Sequence, residues 1–82
     1  MTTHFVYILE ALNGKLYVGY TIDIEKRMKA HQEGKGSKFI RAFGFGKLLY
    51  QEKHSTKSLA LKREAEIKKW NHTKKKALIE GC

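Results

Sequence analysis

Two short apolar segments joined by an Asn-Gly pair constrain the fold of this chain more than any other feature. Residues 5–9 form an unbroken aromatic and branched run without helical spacing, so residues 4–10 are predicted to be a strand. Asn13 and Gly14 both tolerate the positive φ angles that a two-residue hairpin turn requires. We therefore expect residues 15–20 to return as a second strand, paired antiparallel with the first.

The rest of the chain alternates helical and extended patterns. A helix is predicted from a cap at Thr21 or Asp23 to about Glu33, where Gly34 supplies a left-handed end. Then follow a short helical turn over 37–43, a strand over 47–53, a helix from the caps Ser55 and Thr56 to about Trp70, an interruption at 71–73 and a last helix over 74–80. This order, β-β-α-β-α(-α), predicts an α+β fold with a three-stranded antiparallel sheet flanked by helices.

A chain of 82 residues has room for one domain, 1–82, with a core over about 4–70 and a C-terminal helix or tail over 71–82. Its lone cysteine, Cys82, cannot form an internal disulfide or a zinc site, and we expect no role for it. The sequence does not begin like a signal peptide, and residues 5–9 are too few to span a bilayer. We expect a cytoplasmic protein that does not contact membranes.

The charge of the chain favours an anionic partner. Seventeen Lys and Arg residues against eight Asp and Glu give a formal charge of +9, which attracts a polyanion such as nucleic acid. A solubilising surface or a small ribosomal protein would carry similar charge. Composition alone leaves these alternatives open.

Polar side chains fall on helix faces that should be buried. In the first helix, Arg27 and His31 lie one turn apart beside the stripe marked by Ile24 and Met28.

In the later helix, Glu64 falls between Ala60 and Ile67, with Leu59 and Trp70 expected beside the same stripe. A carboxylate there costs several kcal/mol of desolvation unless a cation meets it. It could form an ion pair with Arg63, Lys68 or the other helix. It could instead bind a magnesium ion that keeps most of its waters.

Two tyrosines raise a similar choice between packing and chemistry. Tyr7 and Tyr17 lie on adjacent strands of the hairpin and could face the same side. A buried tyrosine usually packs its ring and finds one hydrogen bond, so core packing is the simpler interpretation of each.

Together these residues resemble the GIY-YIG endonuclease superfamily, in particular its small stand-alone bacterial members. The resemblance covers nearly the whole chain and rests on Phe5-Val6-Tyr7, Tyr17-Val18-Gly19 ten positions later, Arg27, the loop Gly34-Lys35-Gly36-Ser37-Lys38, and Glu64 in its helix. Phe5 stands where the signature has glycine and Val6 where it has isoleucine, both tolerable in a strand, and Val18 replaces isoleucine conservatively. The resemblance implies the GIY-YIG nuclease fold.

The resemblance also implies roles for individual residues. Glu64 would ligate a single Mg²⁺ or Mn²⁺ ion, and Arg27 would hold the scissile phosphate with its guanidinium fork. Tyr17, or Tyr7 beside it, would act near the attacking water as its base or as a positioning hydrogen bond. Gly19 would allow close backbone approach. His31 would support the site or accept a proton.

The implied reaction is hydrolysis of a DNA phosphodiester with one metal ion, giving 5′-phosphate and 3′-hydroxyl products. Lys35, Lys38 and Arg41 would hold the nucleic acid through its phosphates, and no stacking platform or recognition helix is apparent in the sequence. A structure-selective repair or processing nuclease, with an unidentified protein partner supplying specificity, is the first hypothesis. The alternatives are a non-catalytic nucleic-acid-binding protein that keeps the fold, and a basic structural protein in which Arg27 and Glu64 only form a salt bridge.

Overall fold

The computed structural model describes residues 2–81, so Cys82 lies outside the described residues. The elements are β1 (His4–Ala11), β2 (Leu16–Thr21), α1 (Ile24–Gln32), α2 (Lys38–Phe43), β3 (Phe45–His54), α3 (Lys57–Lys68) and α4 (His72–Ile79). The strands form one antiparallel sheet in the order β2-β1-β3. The predicted α+β fold is confirmed.

The central position of β1 explains its unusual sequence. Residues 6–9 are all fully buried. A strand that is covered on both faces gains from apolar side chains at every position, whereas a half-exposed strand alternates apolar and polar residues. The hairpin is present, but its turn is not the two-residue turn that was predicted. Among residues 2–81 only glycines have positive φ, so Gly14 (φ +84°) takes the left-handed conformation and Asn13 does not. The Gly14 N–H donates to the carbonyl oxygen of Ala11 (3.0 Å) and the Ala11 N–H to that of Lys15 (2.9 Å), which is the pattern of a longer hairpin loop.

The sheet separates two layers of helix. On one face Val6, Ile8 and Val18 pack against Ala60 and Ile67 of α3. The partly buried Leu78 and Ile79 of α4 join the same cluster, so the C-terminal helix is part of the packed structure.

The other face carries the second cluster. Tyr7, Leu9 and Ala11 of β1 pack against Ile40 of α2, and Tyr17, Ile24, Met28, Phe39, Phe45 and Leu48 surround them. Alternation along β1 therefore sends Tyr7 toward α1 and α2.

Several predicted boundaries move. The strand β3 is longer than predicted, and α3 ends at Lys68, before Trp70. The predicted interruption at 71–73 is instead the start of α4. The Asn71 side chain accepts a hydrogen bond from Lys74 N (2.8 Å) and caps this helix.

The expectation for Leu59 was wrong, since its side chain is 51% exposed. The buried stripe of α3 is narrow, and a residue ~100° before Ala60 already turns away from the sheet.

Among residues 2–81, no helix has the length and apolar character needed to cross a bilayer.

Candidate active site

Tyr7 lies at the centre of the candidate site, in the middle of the central strand. Its side chain is fully buried, and its hydroxyl group is 2.9 Å from Nε2 of His31. His31 lies in the last turn of α1 and is 1% exposed. The histidine that sequence analysis placed beside the buried stripe is thus a direct partner of a signature tyrosine.

Two glycines leave room for this pair. Gly19 is opposite Tyr7 in the β1–β2 register, and a Cβ there would lie 2.4 Å from the phenol oxygen. A Cβ on Gly36 would lie 2.2 Å from Nδ1 of His31. From the sequence, Gly36 is predicted only as part of a loop, and its contact with His31 was not expected. The one sequence signal for this contact is that a second glycine follows closely after Gly34, which ends α1.

Tyr17 is the more accessible tyrosine. It lies on the edge strand β2, is half-buried, and its ring centre is 6.3 Å from that of Tyr7 and 5.6 Å from that of His31. Within residues 2–81 its hydroxyl group has no hydrogen-bond partner. Of the two phenols, this one is free to meet a ligand.

Arg27 lies one turn before His31 in α1, half-buried. It lines a surface hollow of about 360 Å³ next to the start of the helix, together with Thr21, Asp23 and Lys26. No carboxylate in the described part of the chain lies within ion-pair distance of it. Arg27 and Glu64 therefore do not form the salt bridge that the hypothesis of a purely structural pair requires.

Glu64 projects from α3 between the buried Ala60 and Ile67, and its side chain is 17% exposed. Its carboxylate is 3.4 Å from Nζ of Lys68, one of the pairings considered from the sequence. Arg63, another candidate partner, instead bonds Glu52 and Glu66. An exposed i,i+4 lysine is a weak partner, so it leaves this carboxylate available to other cations.

The charges of these residues act together on Tyr7. Burial raises the pKa of the Tyr7 phenol well above its usual value, Tyr17 and Glu64 raise it further, and the nearby Arg27 guanidinium opposes them. Burial, followed by the charge of Arg27, lowers the pKa of His31. At neutral pH the pair is therefore a protonated phenol and an uncharged imidazole.

The hydrogen bond between them allows two tautomers. If the Tyr7 hydroxyl donates to Nε2, the imidazole proton is on Nδ1, which is buried and has no partner within residues 2–81. If Nε2 donates, the Tyr7 proton is free for a third group. Either arrangement fixes the orientation of the phenol.

The three predicted phosphate-binding residues lie together. Lys35, Lys38 and Arg41 line one surface hollow of about 600 Å³ between the end of α1 and α2, with Glu33 and Ser37 at its margin. Their role in binding nucleic acid remains a prediction.

Glu64 is the carboxylate whose charge acts on Tyr7, so it is the candidate metal ligand at this site. Among residues 2–81, no three His, Cys, Asp or Glu side chains are grouped so that they could hold an ion between them. A single half-buried carboxylate suits a hard divalent ion that keeps most of its waters and also binds phosphate oxygens. The donor set fits an Mg²⁺ or Mn²⁺ ion bound jointly with a substrate.

Comparison with known proteins identifies the family of this chain. The model of the GIY-YIG catalytic domain matches residues 3–77. The chain belongs to the GIY-YIG family. The resemblance predicted from the sequence is confirmed at the level of the family. The superfamily consists of endonucleases, which are in general metal-dependent.

The relatives of this GIY-YIG chain are small proteins of similar length. UPF0213 proteins from Staphylococcus aureus strains Mu3 and N315 are each 45% identical to it over 80 residues, which is 98% of both chains. The solution NMR structure of a UPF0213 protein from Bacillus halodurans is 38% identical, with a TM-score of 0.62, over 95% of this chain and 83% of that one. These names identify a family and state no substrate.

Proposed function

We propose that this protein is a metal-dependent endonuclease that hydrolyses DNA phosphodiester bonds and leaves 5′-phosphate and 3′-hydroxyl ends. One observation carries the proposal. The Tyr7 hydroxyl contacts His31 of α1 (2.9 Å), and Tyr17 of β2, Arg27 of α1 and Glu64 of α3 lie close enough to shift the pKa of its phenol. A buried phenol with a guanidinium and a carboxylate nearby is costly to assemble for stability alone, which favours a catalytic role.

The difference in burial between the tyrosines assigns their roles in the proposal. Tyr17, half-buried with a free hydroxyl, faces the attacking water and accepts or orients its proton. Tyr7 is fully buried and hydrogen-bonded to His31. Its ring packs beside that of Tyr17, with centres 6.3 Å apart, and so holds Tyr17 in position. Tyr7 and His31 are thus positioning residues.

Arg27 and Glu64 would act on the phosphate. The guanidinium of Arg27, which no described carboxylate occupies, clamps a non-bridging oxygen and stabilises the charge that develops there. Glu64 would hold one Mg²⁺ or Mn²⁺ ion, which when bound supplies positive charge at the leaving 3′ oxygen.

Lys35, Lys38 and Arg41 would bind the nucleic-acid backbone in their shared hollow, since phosphate contacts position a substrate without reading its bases. The proposal includes selectivity for DNA structure in repair or processing, a cytoplasmic location, and a protein partner that chooses the target.

The test is cleavage of branched, nicked and continuous duplex DNA by purified protein in Mg²⁺, with EDTA as the metal-free control. We expect cleavage that Glu64→Gln abolishes and that Glu66→Gln, a matched change on the outer face of the same helix, retains. Products should be ligatable, as 5′-phosphate and 3′-hydroxyl ends are. Cleavage that survives Glu64→Gln would indicate a contaminant, and binding without cleavage would favour the non-catalytic alternative.

A further inference from the structure

A row of aromatic rings leads from the candidate active site to the surface. The ring of Phe39 stacks on Tyr17 with centres 5.9 Å apart and planes at 20°, and the ring of Phe43 lies 5.0 Å beyond it. Phe43 is the last residue of α2 and is 44% exposed. The row therefore joins the accessible tyrosine to an exposed aromatic side chain.

The tip of the hairpin forms the other half of this exposed surface. Leu12 is 74% exposed, and its backbone N–H donates to the carbonyl oxygen of Gly44 (3.1 Å), which fixes the tip against the end of α2. Gly44, with φ +85°, packs against the Leu12 side chain, where a Cβ would meet Leu12 Cδ1 at 2.6 Å. Leu12 and Phe43 thus form an apolar surface on a backbone that is held in place.

One cation lies at this surface. Nζ of Lys15 lies 5.9 Å from the centre of the Phe43 ring. Lys38 and Arg41 lie on the same short helix as Phe43, ~140–160° around its axis, and line the basic hollow. Proteins hold unpaired nucleotides with an exposed aromatic face and a basic groove along the strand, because the base stacks and the phosphate meets the charge.

We propose that Phe43, with Leu12 and Lys15 beside it, is a stacking subsite for an unpaired base of the nucleic acid whose backbone lies in the basic hollow. The inference rests on the proposed function and deepens it. Two ring contacts separate Phe43 from Tyr17, a distance of at most ~3 stacked nucleotides at ~3.4 Å each. The substrate would thus expose at least one base close to the bond that is cleaved.

The experiment compares Phe43→Leu, which keeps an apolar side chain but removes the π face, with Phe43→Trp, which keeps the face. Binding is measured by fluorescence anisotropy with a labelled oligothymidylate and with a short duplex, without divalent metal and in a Glu64→Gln background. We expect Phe43→Leu to weaken oligothymidylate binding at least about fivefold, to change duplex binding less than about twofold, and Phe43→Trp to bind as before. Leu59→Ala, a change at a similarly exposed apolar residue on α3, is the control and should change neither affinity.

Two outcomes would overturn the subsite: unchanged oligothymidylate affinity in Phe43→Leu, or an equal loss on both nucleic acids. A change in self-association, measured by sedimentation with nucleic-acid affinity unaltered, would assign the surface to a protein contact instead. Because these assays contain no metal and an inactivated Glu64, they test stacking separately from cleavage. The wild-type chain can fail to cleave DNA while Phe43→Leu still weakens oligothymidylate binding. It can also cleave DNA while Phe43→Leu leaves that binding unchanged.

Discussion

Gly19 and Gly36 lie at the two ends of the Tyr7–His31 hydrogen bond, one against the phenol and the other against the imidazole. At the scale of single residues, the candidate site depends on two glycines that have no side chain as well as on the rings of Tyr7 and His31. A methyl group at either position would occupy space that the rings already fill, and the packed interior offers little room for adjustment.

Gly36→Ala tests this dependence. The added Cβ should displace His31, lower the free energy of unfolding by ~1–3 kcal/mol, and reduce cleavage at temperatures well below the melting point. Gly14→Ala is the comparison: its Cβ meets nothing within 4 Å, so it should destabilise through its positive φ alone and leave cleavage unchanged. Thermal melts and cleavage rates for both variants provide the measurement, and equal cleavage by Gly36→Ala and wild type would contradict the prediction.

The buried imidazole predicts a pH dependence of stability. Its pKa in the folded state lies below the ordinary 6.5, so the unfolded chain binds more protons between the two values. Stability that is present above pH 6.5 should therefore be lost as the pH falls, by up to ~1.4 kcal/mol per pH unit, until the folded pKa is reached. Urea denaturation at several pH values should show this slope in the wild type and in His72→Gln, an exposed control, and a reduced slope in His31→Gln. A slope that His31→Gln leaves intact would assign the effect elsewhere.

Sequence alone indicated candidate site residues, but not how deeply each of them is buried. Helical spacing placed Arg27, His31 and Glu64 on inward faces, because that argument needs only the period of the helix. It could not distinguish Tyr7 from Tyr17. Their difference depends on which strand lies in the middle of the sheet, and strand order is set by pairing with β3, forty residues away in sequence.

At the scale of elements, α3 carries Glu64 on a helix that is held by only a narrow apolar stripe. Ala60 and Ile67 are fully buried on either side of it, and Arg63 ties the same helix to Glu52 of β3 (3.1 Å). These contacts fix α3 without using the Glu64 carboxylate. Among residues 2–81 that carboxylate pairs with Lys68 alone, whose side chain is 54% exposed.

Glu64→Ala should therefore change the free energy of unfolding by less than ~1 kcal/mol in metal-free protein, since an exposed i,i+4 pair contributes only ~0.3–0.5 kcal/mol. Ile67→Ala, one turn along the helix, should cost ~2–5 kcal/mol and shows that the assay detects losses on α3. Chemical denaturation in EDTA measures both. A loss of ~3–5 kcal/mol for Glu64→Ala would mark it as a structural ion-pair residue instead.

Most elements could be predicted from local patterns, and the errors occur where tertiary contacts decide. The caps at Asp23 and Thr56 and the left-handed Gly34 are local signals, and the structure contains all of them. The start of α4 was placed too late because Asn71 was interpreted as an interruption. Polar residues ahead of a helix can end one element or cap the next, and here the packing of Leu78 and Ile79 selects the cap.

At the scale of the whole molecule, the charge of +9 is distributed over both helical layers, and only part of it lies near the candidate site. Lys35, Lys38 and Arg41 share one hollow, whereas Lys57, Lys62 and Lys69 are exposed on α3 or at its end. The two groups carry the same charge. They differ in their position relative to the row of rings and the tyrosines.

Replacing Lys35, Lys38 and Arg41 together with Gln should weaken duplex binding and reduce the slope of log K against log salt concentration by ~2–3, as expected when up to three phosphate contacts are lost. The same replacement at Lys57, Lys62 and Lys69 should change the slope by less than one. Affinities measured over a range of salt concentrations give both slopes. Equal effects of the two triple variants would mean that the charge acts diffusely and that the hollow is no binding site.

The most direct test of the account is a Mn²⁺ titration followed by NMR, in which the paramagnetic ion broadens nearby signals even when it binds weakly. We predict that signals around Glu64 broaden first, together with those of Tyr17 and Arg27, and that Glu64→Gln abolishes the effect. Broadening centred on another carboxylate, such as Glu33 or Glu66, with Glu64 and Tyr17 unaffected, would contradict a metal-dependent site at this place in the molecule.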